Sequence, residues 1–260
     1  MIRIMTVFGT RPEAIKLGPI VKALQAEPDV DLTICTTGQH REMLKQVLDL
    51  FEIVPDVDLA VMTPGQTLTD ITSRVLDKLS PTLAERSVDW LLVQGDTTTA
   101  FAAGLAAFYA KIPVAHVEAG LRSGDIYAPF PEEVNRKMVS VFTALHFAPT
   151  NQSRDNLLKE GVAAEAIKVT GNSVIDALLY FQERLENDPD LAAGFKEQFD
   201  FLDPTRRLIL VTGHRRENFD GGIDRMCAAL LEIADRGDVQ IVYPVHPNPN
   251  VRGPVGTMLA

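Results

Sequence analysis

Short apolar, β-branched runs alternate with longer amphipathic ones through most of this chain. Ile2 to Val7, Asp31 to Thr36, Trp90 to Gln94, Val114 to Val117, Ala144 to Ala148 and Ile167 to Thr170 read as strands. Segments around 13–26, 40–51, 67–86, 98–110, 131–142 and 151–160 read as helices. Such alternation demands right-handed crossovers and a parallel sheet covered on both faces, so residues 1–171 are expected to form a Rossmann-like α/β domain. Residues 172–206 read as a helical connection with breaks at Asp188-Pro189 and Asp203-Pro204. Residues 207–260 then open a second Rossmann-like domain, with strand Arg207 to Thr212, helix Gly222 to Arg236 and strand Val239 to Val245. Two strands and one full helix are too few to bury a core, which leaves that domain incomplete and its apolar residues Leu208, Ile209, Leu210, Ile241 and Val242 open to solvent. A short echo links the halves: Val7-Phe8-Gly9-Thr10-Arg11 is matched by Val211-Thr212-Gly213-His214-Arg215, each after an apolar strand.

In open α/β sheets ligands bind beyond the carboxyl ends of the strands, so those ends are where chemistry is sought. After the first strand, Gly9 permits a sharp turn, Thr10 reads as an N-cap, Pro12 fits the first helical turn and Glu13 completes a capping box. Arg11 thus stands at a helix N-terminus, where free amides, the helix dipole and a guanidinium favour an anion such as phosphate. Further along, Asp96 follows a strand in Gln94-Gly95-Asp96-Thr97-Thr98-Thr99, Glu118 ends the next strand, and Glu132-Glu133 open a helix after Pro131. Carboxylates gathered in a cleft can have their protonation states driven apart, as acid/base chemistry requires. Each also has an ordinary structural alternative: Asp96 as an N-cap, Glu132 as a complement to a helix dipole, Glu118 as a solvated side chain. His116 and Glu118 share a strand face, but no third ligand at metal spacing accompanies them, so no metal is expected. The first turn also lacks the Gly-x-Gly-x-x-Gly pattern of dinucleotide binding, and no Walker-type loop occurs.

The formal charge of −10 over 260 residues argues against nucleic acid or an anionic membrane as partner, while leaving room for a phosphorylated small molecule held by local cations. Cys35 and Cys227 stand far apart without metal-like spacing and read as buried small hydrophobes in a reduced, cytoplasmic setting. No leader-like segment opens the sequence and no apolar run reaches spanning length.

Eight stretches in order, Phe8-Gly9-Thr10-Arg11-Pro12-Glu13-Ala14, Gln39-His40-Arg41-Glu42-Met43, Gly95-Asp96-Thr97-Thr98-Thr99, His116-Val117-Glu118-Ala119-Gly120-Leu121-Arg122, Pro131-Glu132-Glu133-Val134-Asn135-Arg136, Thr170-Gly171-Asn172, Gly213-His214-Arg215-Arg216-Glu217-Asn218 and Tyr243-Pro244-Val245-His246, closely resemble the bacterial non-hydrolysing UDP-N-acetylglucosamine 2-epimerases. The resemblance covers essentially the whole chain. It implies a GT-B-like fold of two Rossmann-like domains, and an isomerase that interconverts UDP-N-acetylglucosamine and UDP-N-acetylmannosamine for cell-surface polysaccharide synthesis. The family eliminates UDP to give 2-acetamidoglucal and adds it back, with no cofactor. By match to its motifs, Asp96, Glu118 and Glu132 carry the acid/base work, while His214, Arg11 and Lys16 address the diphosphate. Gln39, His40, Arg41, Glu42 and His246 match segments lining a second, regulatory UDP-N-acetylglucosamine site, with variation expected at Pro64 and Gly65; helix 40–51 read as ordinary packing would turn Met43, Leu44, Val47 and Leu48 to the core. Full-length members are expected to be homodimers. The sequence ends before the Ser-Gly-Gly segment and paired glutamates that clamp the nucleotide in the family, so weak UDP binding and doubtful activity are expected of this polypeptide. Two other readings stand beside the epimerase: a GT-B nucleotide-sugar glycosyltransferase, and a catalytically dead fragment that binds or associates.

Overall fold

The computed structural model describes residues 1–38, 41–63, 65–213, 221–246 and 248–259, with Arg41, Glu42 and Asn250 described by their backbone alone. The chain divides into two compact units, Met1–Arg184 and Leu185–Ala260. The first contains β1 (Ile2–Phe8), α1 (Arg11–Ala26), β2 (Val30–Thr36), α2 (Arg41–Phe51), β3 (Val57–Asp58), α3 (Leu68–Glu85), β4 (Trp90–Gln94) and α4 (Thr98–Tyr109). It continues with β5 (Val114–Val117), α5 (Glu132–Phe142), β6 (Thr143–Ala148), α6 (Asn151–Lys159), β7 (Ile167–Val169) and most of α7 (Ser173–Asn187). All seven strands pair in parallel in the order β3-β2-β1-β4-β5-β6-β7. The chain steps outward from β1 to β3 and then returns to place β4 on the other side of β1. That reversal is a topological switch point, and it opens a crevice beyond the carboxyl ends of β1 and β4.

Strand residues alternate between two cores, as period-2 geometry requires. Met5, Val7, Cys35, Leu91, Val93 and Val114 pack with α3, α4 and α5 on one face. Phe8, Ile34, Leu92, Ala115 and Val117 pack on the other with Leu17 and Val21 of α1, Leu44, Val47, Leu48 and Phe51 of α2, and Ala177 of α7. Phe51 anchors that layer: its ring stacks on Tyr180 at 5.2 Å and lies 4.7 Å from Phe181, so the first half of α7 belongs to this core. Met43 departs from the sequence reading. It is exposed, because α2 aims Leu44, Val47 and Leu48 inward and Met43 lies off that stripe. Cys35 and Cys227 are both buried free thiols, and burial pushes the Cys35 thiol up to about 12.

The second unit holds α8 (Pro189–Gln198), β8 (Arg207–Leu210), α9 (Gly222–Ala234), β9 (Val239–Val242) and α10 (Pro249–Met258). β8 and β9 form a parallel pair, and Ile223, Cys227, Val251 and Val255 make a small core between α9 and α10. Helix α10 lies outside the sequence reading, since Gly253, Pro254 and Gly256 obscure its periodicity. Leu208 and Leu210 are exposed as expected, whereas Ile209, Ile241 and Val242 are half-buried. Among the described residues no helix is long and apolar enough to cross a membrane.

Candidate active site

The turn after β1 is held by one carboxylate. Thr10 caps α1, and the Glu13 side chain completes the capping box. Glu13 does more than cap: it is 1% exposed, and its Oε2 accepts from Gly9 N at 3.1 Å, Thr10 N at 2.8 Å and Thr10 Oγ1 at 2.7 Å. Its Oε1 accepts from Thr97 Oγ1 at 2.7 Å, and Thr97 is the N-cap of α4. Burial raises the Glu13 carboxyl above its ordinary value, against the pull of those hydrogen bonds. One buried side chain thus fastens the N-termini of α1 and α4 together, and Arg11 lies exposed at the first position of α1. The positive ends of two helix dipoles and a guanidinium favour an anion there.

Glu118 stands just past β5 with φ of +66°, a left-handed backbone that a side chain rarely adopts. Its carboxylate is 11% exposed and touches three elements. Lys16 Nζ of α1 and Gln94 Nε2 of β4 each donate to Oε2 at 2.5 Å, and Asn172 Nδ2, just before α7, donates to Oε1 at 3.3 Å. Gly95 lies beneath it. A Cβ there would come within 3.7 Å of Glu118 Oε2, and the Gly95 φ of +69° would strain any other residue. The Gly95 carbonyl is engaged at 2.7 Å by Nε2 of buried His116, which therefore carries its proton on that nitrogen. Burial holds His116 neutral, its pKa pushed down to about 4.

The third part is built by α5. Arg136 Nη2 meets Asp96 Oδ2 at 2.5 Å while its Nη1 donates to Glu133 Oε2 at 3.1 Å. Asn135 Nδ2 donates to the Asp96 carbonyl at 2.9 Å. Glu133, fully buried, also accepts from Ser123 N and Gly124 N at 3.1 and 3.3 Å. Successive residues of one helix therefore grip the Asp96 turn and the loop after β5. Glu132, the first residue of α5, has a buried Oε2 with no hydrogen-bond partner among the described residues.

Asp96 and Glu118 thus come together at the carboxyl ends of β4 and β5, with Glu132 carried on the helix that grips Asp96. Lys16, expected on the diphosphate, is found on Glu118. Gln39, His40 and His214 lie outside the described residues, as does Pro64, and α2 opens at Arg41 and Glu42 without a description of their side chains. His246 is exposed after β9, its Nδ1 accepting from Asn248 N at 3.1 Å. Gln94, Asn172, Asn135 and Arg136 stand in the quoted stretches but take no role from sequence, although Arg136 follows Glu132 at helical spacing, a signal for one shared helix face. Among the described residues no group of three or more His, Cys, Asp or Glu side chains could hold a metal ion.

The family model for UDP-N-acetylglucosamine 2-epimerase matches residues 22–260. The chain belongs to the UDP-N-acetylglucosamine 2-epimerase family. A member from Yersinia pestis, named UDP-N-acetylglucosamine 2-epimerase, is 56% identical over 258 residues, covering 99% of this chain and 69% of that protein. The like-named protein of Escherichia coli K12 is 54% identical over the same shares. Among solved structures, the family member from Neisseria meningitidis bound to UDP-GlcNAc superposes with a TM-score of 0.92 at 47% identity, over 99% of this chain and 70% of that one. A Methanocaldococcus jannaschii epimerase in complex with UDP-GlcNAc and UDP gives 0.79 at 32% identity, over 99% and 69%. The fold class is accordingly α/β and GT-B-like.

Proposed function

We propose that this protein interconverts UDP-N-acetylglucosamine and UDP-N-acetylmannosamine at C2. The observation that carries the reading is the pair of cation-partnered carboxylates, Glu118 on Lys16 and Asp96 on Arg136, on neighbouring turns of a chain whose relatives are named for this epimerisation. The C2 proton of the sugar is not acidic, so direct exchange is slow. Breaking the C1–O bond as C2 loses its proton gives UDP and an enol-type sugar, 2-acetamidoglucal. Protonation from the other face and return of UDP to C1 complete the inversion. Carboxylates gathered at these strand ends suit the proton transfers, and Glu132, whose buried Oε2 has no hydrogen-bond partner among the described residues, is the third group of that set. Arg11 and the paired N-termini of α1 and α4 suit the departing diphosphate, together with His214. Gln39, His40, Arg41, Glu42 and His246 are proposed to serve a second, regulatory nucleotide sugar. The reaction needs no cofactor, and the enzyme is assigned to the cytoplasm as a homodimer. Incubation with UDP-N-acetylglucosamine followed by proton NMR tests the reading, with signals of the manno epimer as the expected outcome. Sugar transferred or released with its C2 configuration unchanged would contradict it and favour a glycosyltransferase.

A further inference from the structure

Glu118 is held more firmly than its burial alone requires. Its carboxylate is 11% exposed and already has a cation, Lys16, at 2.5 Å from Oε2. Two neutral amides are added from two further elements. Gln94 Nε2, at the end of β4, donates to the same Oε2, and Asn172 Nδ2, just before α7, donates to Oε1. The amides differ from the lysine in stiffness. Lys16 is a point charge on a flexible stem, 24% exposed. Gln94 is buried on a strand that pairs with both β1 and β5, and it follows the buried apolar residues Leu91, Leu92 and Val93. A buried amide costs free energy unless it is paired, and Gln94 finds its partner in Glu118. Asn172 is fixed from its other end: its Oδ1 accepts from Val174 N at 3.1 Å, an Asx-type turn that opens α7 and leaves Nδ2 for Glu118.

We infer that Gln94 and Asn172 are positioning residues, which act on opposite oxygens of Glu118 to fix the plane of its carboxylate for proton transfer at C2. The inference rests on the reading of Glu118 as a proton-transferring group and deepens it. Charge and direction are supplied separately. Lys16 provides the countercharge and can follow the carboxylate if it turns. The two amides cannot follow, because one is set by the sheet and the other by the turn before α7. A carboxylate bonded through both oxygens loses rotation about its last bond, so it offers the same lone pairs to the crevice at every turnover. Proton transfer needs its acceptor placed to within about 0.5 Å and 10 to 20°. A misplacement of about 1 Å costs on the order of a hundredfold in rate.

Two variants test this. Gln94→Met keeps the length of the side chain without its donor, and Asn172→Ser keeps an oxygen for Val174 N but is too short to reach Glu118. With UDP-N-acetylglucosamine as substrate, each should lower kcat by about ten- to a hundredfold and leave KM within about twofold of the parent. The isotope effect from deuterium at C2 should equal or exceed the parent's, because proton transfer is the step that slows. A kcat within about threefold of the parent in either variant, or a loss in which the isotope effect vanishes, would overturn the inference. Crystal structures of the three proteins supply a readout that does not depend on turnover. The Glu118 carboxylate is expected in one orientation in the parent and in a turned or split one in each variant, and an unmoved carboxylate would overturn the positioning role. A parent that fails to epimerise would contradict the functional reading alone, and the orientation of the carboxylate would still decide this one.

Discussion

Gly120 shows how little room the site's framework leaves. Its φ is +88°, and a Cβ there would sit 2.2 Å from the Ser153 carbonyl oxygen, a backbone atom that cannot swing aside. Gly120→Ala is therefore expected to cost about 3 kcal/mol or more, read as a fall in the urea midpoint, and an unchanged midpoint would refute the packing described. Two buried histidines set a second residue-level expectation. His116 and His146 face each other across β5 and β6, and burial pushes each pKa down to about 4 from 6.5. A histidine whose folded pKa is depressed contributes fully above its unfolded value and loses that contribution as pH falls, because the unfolded chain binds the proton first. Stability should therefore decline between pH 6.5 and about 4 by on the order of 2 to 3 kcal/mol per histidine. Glu13 works the other way: its folded pKa is raised, so its contribution is present below 4.5 and lost as pH rises through the folded value. His116→Gln, which retains a donor for the Gly95 carbonyl, should flatten the decline in denaturation series run across that range, and an equal slope in parent and variant would contradict the assignment.

Helix α5 concentrates the buried polar work of the first unit. Removing the guanidinium by Arg136→Gln takes the short ion pair from the fully buried Glu133, leaving it the Ser123 and Gly124 amides and the more distant Lys137, and frees Asp96, at an expected cost of about 3 kcal/mol in chemical denaturation. Arg136→Lys should recover part of this and not all, because an ammonium cannot address two carboxylates as a planar fork does. No change in either variant would show that the network is ornamental. The element scale is also where sequence reading succeeded and stopped. The strands and helices of the first unit were legible because period-2 and period-3.6 patterns are local, and the Thr10–Glu13 capping box was legible for the same reason. β3 escaped because two residues carry no period, and α10 because its glycines and proline hide one. Within the site, Asp96 and Glu118 could be collected from strand ends. The Glu13–Thr97 link, the Gln94 and Asn172 contacts to Glu118 and the Arg136 bridge join residues 24 to 84 positions apart, and only the fold brings them into contact.

Across the whole molecule the burial is uneven. The first unit packs a seven-stranded sheet on both faces, while the described residues of the second offer a two-stranded sheet and a small core around Ile223, Cys227, Val251 and Val255. Hydrogen exchange should accordingly release the amides of β8 and β9 well before those of β1 and β4, and equal protection would contradict the division of stability. An open apolar cavity of about 420 Å³ lies against the second face of the large sheet, lined by Ile4, Trp90, Leu92, Val117, Leu145 and Phe147. None of the candidate catalytic carboxylates lines it. Those stand instead at the strand ends, and Glu118 is the one that β4, α1 and the segment before α7 all converge upon. The most direct measurement is therefore deuterium incorporation at C2 of UDP-N-acetylglucosamine in heavy water, followed by NMR for the parent and for Glu118→Gln. The parent should exchange C2 and yield the manno epimer, and the variant should slow both by about a hundredfold or more. Exchange in Glu118→Gln within about threefold of an active parent would contradict the account.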